Sequence, residues 1–159
     1  MIKQEKIQET LLRLCEHYGE QNWWQSDNKI EDLVSTILIQ RTTEKNAKLA
    51  LAGLMDVMTV EAILALPLEE LQERIRPAGF FKQKSQTIRG LLIWLREVGG
   101  FEVLARIETE DLRKQLLGLK GIGPETADAL LLYLFDRLVF ISDEYARRLF
   151  RRLGFGNFD

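Results

Sequence analysis

Leu116-Leu117-Gly118-Leu119-Lys120-Gly121-Ile122-Gly123-Pro124-Glu125-Thr126-Ala127-Asp128 is the stretch that decides the fold. Glycines alternate with apolar residues in a very short connection between two helical patterns. Upstream, Thr109 with Glu110 and Asp111 starts a helix that runs to Leu117. Downstream, Pro124 suits a helix first turn, where its missing N–H costs nothing, and Ala127, Leu130, Leu131 and Leu134 define an apolar face. Gly121 and Gly123 permit positive φ and close backbone approach, while Leu119 and Ile122 can tuck between the two helices. The result is a tight hairpin with N–H groups facing outward at a helix N-terminus. Orphan donors and the helix dipole favour a phosphate there, with Gly118, Lys120, Gly121, Gly123 and Thr126 as its contacts. A plain helix-helix turn would explain Gly-x-Gly alone equally well.

Working outward, helical periodicity dominates and no segment reads as a convincing strand. Ile7, Leu11, Leu14 and Tyr18 make 3 to 18 an amphipathic helix stopped at Gly19. Ser26 or Asp27 caps a second helix with the stripe Ile30, Leu33, Val34, Ile37 and Leu38, ending near Gln40. Thr42 or Thr43 caps the next, with Ala47, Leu51 and Leu54 on one face. Short helices follow, ending at Pro67 and Pro77. Residues 82 to 98 form a long helix through Ile88, Leu91, Leu92 and Leu95, closed by Gly99-Gly100, and a final helix starts around Ser142 and runs to Leu153. The predicted class is all-α, with about ten helices.

The 159 residues are 46% hydrophobic and 29% charged, the composition of a globular protein, which argues against disorder. One Cys and one His exclude a disulfide framework, a Cys/His zinc site and the four-thiolate cage of an iron-sulfur cluster. No metal site is expected. The N-terminus lacks the apolar stretch of a signal peptide, so the expected location is the cytoplasm, in association with the nucleoid, with no membrane partner.

Residues 116 to 128 resemble the helix-hairpin-helix of the endonuclease III superfamily of DNA glycosylases, the helix-hairpin-helix-GPD superfamily. Three further segments agree, in the family's order: Phe140-Ile141-Ser142-Asp143, Ile37-Leu38-Ile39-Gln40-Arg41-Thr42-Thr43, and Ile75-Arg76-Pro77-Ala78-Gly79-Phe80-Phe81-Lys82-Gln83-Lys84. The resemblance covers nearly all of the chain. It implies an orthogonal helical bundle, with residues 24–137 as a helical barrel carrying the hairpin unit at 109–136, and 1–23 plus 138–159 as a domain drawn from both termini.

The resemblance also assigns the chemistry. Where bifunctional members carry the Lys that attacks the sugar, this chain has Glu125, which cannot form a Schiff base, so lysine-type strand cleavage is not expected. Asp143 lies 18 positions beyond Glu125, the family's offset, and is the expected catalytic carboxylate. A carboxylate held there can stabilise an oxocarbenium-like sugar or activate water. The same position also suits a simple N-cap, and Glu125 suits a helix first turn for dipole reasons.

Trp23-Trp24 supply flat, electron-rich walls for a flipped and positively charged base, unless they anchor the first helix on the core. With Glu125 completing the base pocket, the combination is similar to the 3-methyladenine glycosylase branch. Gln40 is the expected wedge that fills the space left by the extruded nucleotide. The expected function is therefore a monofunctional glycosylase releasing an alkylated purine from double-stranded DNA as a monomer. The alternatives are a non-catalytic helix-hairpin-helix DNA-binding module and a glycosylase for mismatched adenine or oxidised bases. No organic cofactor or iron-sulfur cluster is expected, and the resemblance leaves room for a monovalent cation at the hairpin when DNA is bound.

The net charge of −2 hides its distribution. Residues 73 to 96 carry Arg74, Arg76, Lys82, Lys84, Arg89 and Arg96 against Glu73, a balance of +5. Residues 137 to 152 carry five Arg against Asp143 and Glu144, a balance of +3. Together they are expected to form a phosphate-tracking surface, with Lys82 and Lys84 among its contacts. Members of the family continue past the Asp-bearing helix, so 159 residues is read as a truncated form, in which activity is expected to be weak.

Overall fold

The computed structural model describes residues 3–21 and 26–156. Among these residues there are ten α-helices, two short 3-10 turns and no strand, so the all-α expectation holds. The chain divides into two compact units, Ser26–Phe140 and the paired termini Met1–Gln25 with Ile141–Asp159.

The larger unit contains α2 (Lys29–Leu38), α3 (Glu44–Ala52), α4 (Val60–Ala65), α5 (Leu68–Arg74), α6 (Phe81–Glu97), α7 (Phe101–Leu104), α8 (Thr109–Leu117) and α9 (Pro124–Phe135). The 3-10 turns Met55–Val57 and Arg76–Ala78 punctuate it. The predicted stripes are the core. Leu33, Val34, Ile37 and Leu38 of α2 are all essentially inaccessible, as are Ile88, Leu91, Leu92 and Leu95 of α6 and Leu130, Leu131 and Leu134 of α9. Each such side chain contributes about 1.5–3 kcal/mol on leaving water. Helix α2 lies centrally, against α3, α6 and α9, while α4 and α5 cover α6 and α8 packs on α9.

Local capping follows the sequence with one correction. Thr43 and Thr59 cap α3 and α4 through their hydroxyls. At α2 the cap is Asn28, not Ser26 or Asp27: its Oδ1 accepts from the N–H of Ile30 at 2.9 Å and of Glu31 at 3.4 Å. Ser26 stands two residues outside, its hydroxyl accepting from the Asn28 N–H at 3.2 Å.

The terminal unit contains α1 (Lys3–Tyr18) and α10 (Glu144–Arg152). Gly19 takes φ +73° where α1 stops. Phe155 is buried and meets the Phe150 ring edge-on at a centroid distance of 5.8 Å. No described helix is long and apolar enough to cross a membrane.

Candidate nucleic-acid interface

The hairpin is a turn closed at both ends. Gly118 ends α8, its N–H donating to the carbonyls of Lys114 and Gln115, and Leu119 N–H donates to Leu116 O at 3.0 Å. Ile122 N–H then reaches back to Leu119 O at 3.2 Å, with Gly121 at φ +88° in the third position. That is the site a type II turn reserves for positive φ. Ile122 is buried and Leu119 packs against the core, as expected from their place in the pattern.

Gly121 also needs its missing side chain for space. A Cβ built there would lie 2.1 Å from Thr87 Oγ1 and 3.2 Å from Thr87 Cβ, so the hairpin backbone rests directly on α6. Gly123 differs from expectation. It takes φ −95° and ψ 178°, an extended conformation open to any residue, and no atom lies within 4 Å of its Cβ position. Glycine there leaves open space outside the first turn of α9, where helix geometry deprives the N–H groups of intrahelical acceptors.

A charged fork holds the two hairpin helices together. Arg113 Nε donates to Asp128 Oδ1 at 2.7 Å and Nη2 to Oδ2 at 3.1 Å, linking α8 to α9. Bidentate geometry of this kind specifies orientation as well as energy, and the carboxylate raises the Arg113 pKa above its ordinary value. Asp128→Asn, which breaks the fork and leaves the rest of α9 in place, is expected to cost about 1–2 kcal/mol by urea denaturation. A change within about 0.5 kcal/mol would show that the pair does not brace the hairpin.

Gln40 lies in the turn that follows α2 and is half-buried. Its Nε2 donates to Thr126 Oγ1 at 2.9 Å, so the expected wedge is tied to the hairpin helix. Arg41, next in the chain, adopts a left-handed conformation with φ +50°. Lys120 and Glu125 are exposed, as is Lys82 on α6.

Lys84 corrects the expectation of a phosphate contact. It is 4% exposed, and its Nζ donates to Leu38 O and Ala78 O, both at 2.8 Å. Desolvation holds its pKa below the usual lysine value. The basic segment 73 to 96 dissolves in the same way. Arg74 binds Asp56, Glu70 and Gly53 O, Arg76 binds Glu73, and Arg89 binds the carbonyls of Leu64 and Leu66. Of the six cations, Lys82 and Arg96 alone stand exposed without a polar partner among the described residues. Arg137 likewise turns onto the carbonyls of Ala105 and Ile107 at 2.6 and 2.9 Å.

Asp143 belongs to the terminal unit. It is the N-cap of α10, with Oδ1 accepting from the Ala146 N–H at 2.7 Å. Arg147 beside it donates to Ser142 O at 2.7 Å, and the Arg148 guanidinium lies 5.0 Å from the Tyr145 ring centroid. Trp23 and Trp24, the expected pocket walls, lie outside the described residues. The site geometry therefore brings together the hairpin, Thr126, Gln40 and, unforeseen, Lys84 as a buried partner of the Gln40 turn.

A buttressed hairpin between two helices of an all-α fold is a helix-hairpin-helix architecture. The chain belongs to the HhH-GPD superfamily of base excision DNA repair proteins, whose family model matches residues 34–158. A Methanocaldococcus jannaschii protein named as a DNA repair glycosylase is 38% identical over 146 residues, covering 89% of this chain and 66% of that one. Among solved structures, the H. pylori 3-methyladenine DNA glycosylase bound to 1,N6-ethenoadenine is similar with a TM-score of 0.79 at 26% identity, covering 100% of this chain and 76% of its own. An endonuclease III in a non-covalent complex with DNA gives a TM-score of 0.81 at 25% identity, covering 100% and 72%. The chain spans roughly half to two thirds of the length of the curated relatives it matches. The family resemblance read from residues 116 to 128 is thus borne out.

Proposed function

We propose that this chain is a monofunctional DNA glycosylase, or the hairpin-bearing part of one, that hydrolyses the N-glycosidic bond of a flipped alkylated purine. The observation that carries the reading is the 2.9 Å hydrogen bond from Gln40 to Thr126, which couples the wedge to the helix that would grip phosphate. Thr126 and the open flank of Gly123 form the phosphate seat, with Gly118, Lys120 and Gly121 in the same hairpin, and Lys82, exposed on α6, is a further phosphate contact. Within 118–123 the oxygen donors are backbone carbonyls alone, a hard and uncharged set that fits a monovalent cation when DNA is bound. Such a cation would add positive charge opposite the phosphate.

Base release follows from charge. The glycosidic bond breaks with its electron pair leaving on the base, so a purine already positive from alkylation departs neutral. The sugar cation left behind is stabilised by the Asp143 carboxylate and captured by water, whose proton is lost to solvent or to that carboxylate. Glu125 replaces the amine that a lyase needs, so no covalent adduct forms. The paired indoles of Trp23 and Trp24 suit a cationic base.

A substrate panel tests this. Duplexes carrying methylated, oxidised and deaminated bases are incubated with the chain, and free base is scored separately from strand nicking and from borohydride trapping. The expected result is release of 3-methyladenine without nicking or trapping. A trapped adduct would overturn the monofunctional reading. Tight duplex binding with no release from any substrate would identify a DNA-binding module.

A further inference from the structure

Lys84 is in the wrong place for its own helix. It lies in the first turn of α6, where the helix dipole disfavours a cation, and it is 4% exposed, where desolvation disfavours charge. What it gains lies on two other elements. Its Nζ donates at 2.8 Å to the carbonyl of Leu38, the last residue of α2, and at 2.8 Å to that of Ala78, the last residue of the 3-10 turn. These carbonyls fall where helical backbones run out of internal donors, at ends that attract positive charge.

Both anchored carbonyls precede strained turns. Arg41 follows Leu38 by three residues with φ +50°, and Phe80 follows Ala78 by two with φ +46°. Non-glycine residues persist in this conformation where their surroundings over-determine it. Between Leu38 and Arg41 sits Gln40, whose side chain is held from the other side by Thr126. The turn is thus anchored at its main chain by Lys84 and at its side chain by the hairpin helix.

We infer that Lys84 is a positioning residue for duplex interrogation: its buried ammonium fixes the point where α2 ends and so aims Gln40 at the base stack. This rests on the reading of Gln40 as the wedge. Lys84 itself touches no DNA. Its removal should therefore leave binding to undamaged duplex intact and abolish what Gln40 does at a lesion.

The test uses the full chain and a duplex carrying a tetrahydrofuran abasic-site analogue, with 2-aminopurine directly opposite to report stacking of the orphaned base. Wild type, Gln40→Ala and Lys84→Met are compared at saturating protein, well below their melting temperatures. Affinity for an undamaged duplex is measured in parallel by fluorescence anisotropy. The expected result is that Lys84→Met loses the 2-aminopurine change to the level of Gln40→Ala, while undamaged-duplex affinity stays within about twofold of wild type. Amide hydrogen exchange should speed up about tenfold or more at residues 39–43 and not in α9.

A kept signal in Lys84→Met, with the signal lost in Gln40→Ala, overturns this inference alone. A kept signal in Gln40→Ala overturns the wedge reading and this inference with it. Loss of signal, affinity and exchange protection together makes Lys84 merely structural and also overturns it. Should Lys84→Met not fold, Lys84→Gln, which keeps N–H donors on a shorter and uncharged arm, is read in the same assays. It is expected to lose part of the signal, and a full wild-type signal would overturn the assignment. Chemical rescue adds a further check: aminoethylation of Lys84→Cys, under denaturing conditions in a Cys15→Ser background and followed by refolding, rebuilds the ammonium and should restore the signal.

Discussion

Gly121→Ala is expected to destabilise the protein by about 2–4 kcal/mol and to weaken duplex binding more than any other single substitution in the hairpin. Two costs combine. The left-handed backbone at φ +88° disfavours any side chain, by about 1–2 kcal/mol. The added methyl would also meet the buried side chain of Thr87, with Oγ1 at 2.1 Å and Cβ and Cγ2 at 3.2 Å, on a rigid helix that cannot retreat without disturbing α6. Relief by moving the hairpin outward would shift the first turn of α9 and the Thr126 hydroxyl with it.

A double-mutant cycle separates the two costs. Thr87→Ala removes Oγ1 and Cγ2 and leaves Cβ at 3.2 Å, so in that background Gly121→Ala should cost little beyond the backbone share, about 1–2 kcal/mol more than Thr87→Ala alone. Denaturant midpoints measure stability, and anisotropy of a labelled duplex measures binding. Additive costs, with no recovery in the double variant, would mean that the hairpin is not seated on Thr87. A neutral Gly121→Ala would sink the whole account of the turn.

Periodicity carried the core because burial of apolar side chains is what a 3.6-residue repeat encodes. Leu33, Val34, Ile37 and Leu38 read from spacing are the residues found inside α2. The hairpin was legible for a related reason, since glycine at 121 answers a conformational demand and a close approach that other residues cannot meet. The basic surface was not legible. A sequence shows where cations lie along the chain but not which acids and carbonyls other elements bring to them. Arg74 meets Asp56 from 18 residues away, Arg89 meets carbonyls more than 20 residues away, and Lys84 meets Leu38 across 46 residues. The cap at Asn28 was missed because Ser26, Asp27 and Asn28 are all competent acceptors, and the choice depends on where α2 docks. Helix α7, four residues long, is too short to leave a periodic signature.

Asp143→Asn is expected to lower single-turnover release of 3-methyladenine at least about a hundredfold while leaving stability within about 0.5 kcal/mol of wild type. The structure makes this contrast sharp, because the Asp143 side chain already serves as a cap, with Oδ1 accepting from the Ala146 N–H of α10 at 2.7 Å. Asparagine is an equally good cap, with a carbonyl oxygen in place of Oδ1, but it carries no charge to set against a sugar cation. Asp143→Ala removes cap and charge together. It should lose about 1 kcal/mol of stability along with the activity, and Asp143→Ser should recover most of that stability and none of the release. If Asp143→Asn releases base at the wild-type rate, the carboxylate is a cap and nothing more, and the chemistry must reside elsewhere. If activity instead follows stability across the three variants, the loss reports the integrity of α10. Only full stability with lost release places negative charge at position 143 in the reaction, because the cap is then intact and what is missing is the field it holds at the helix start.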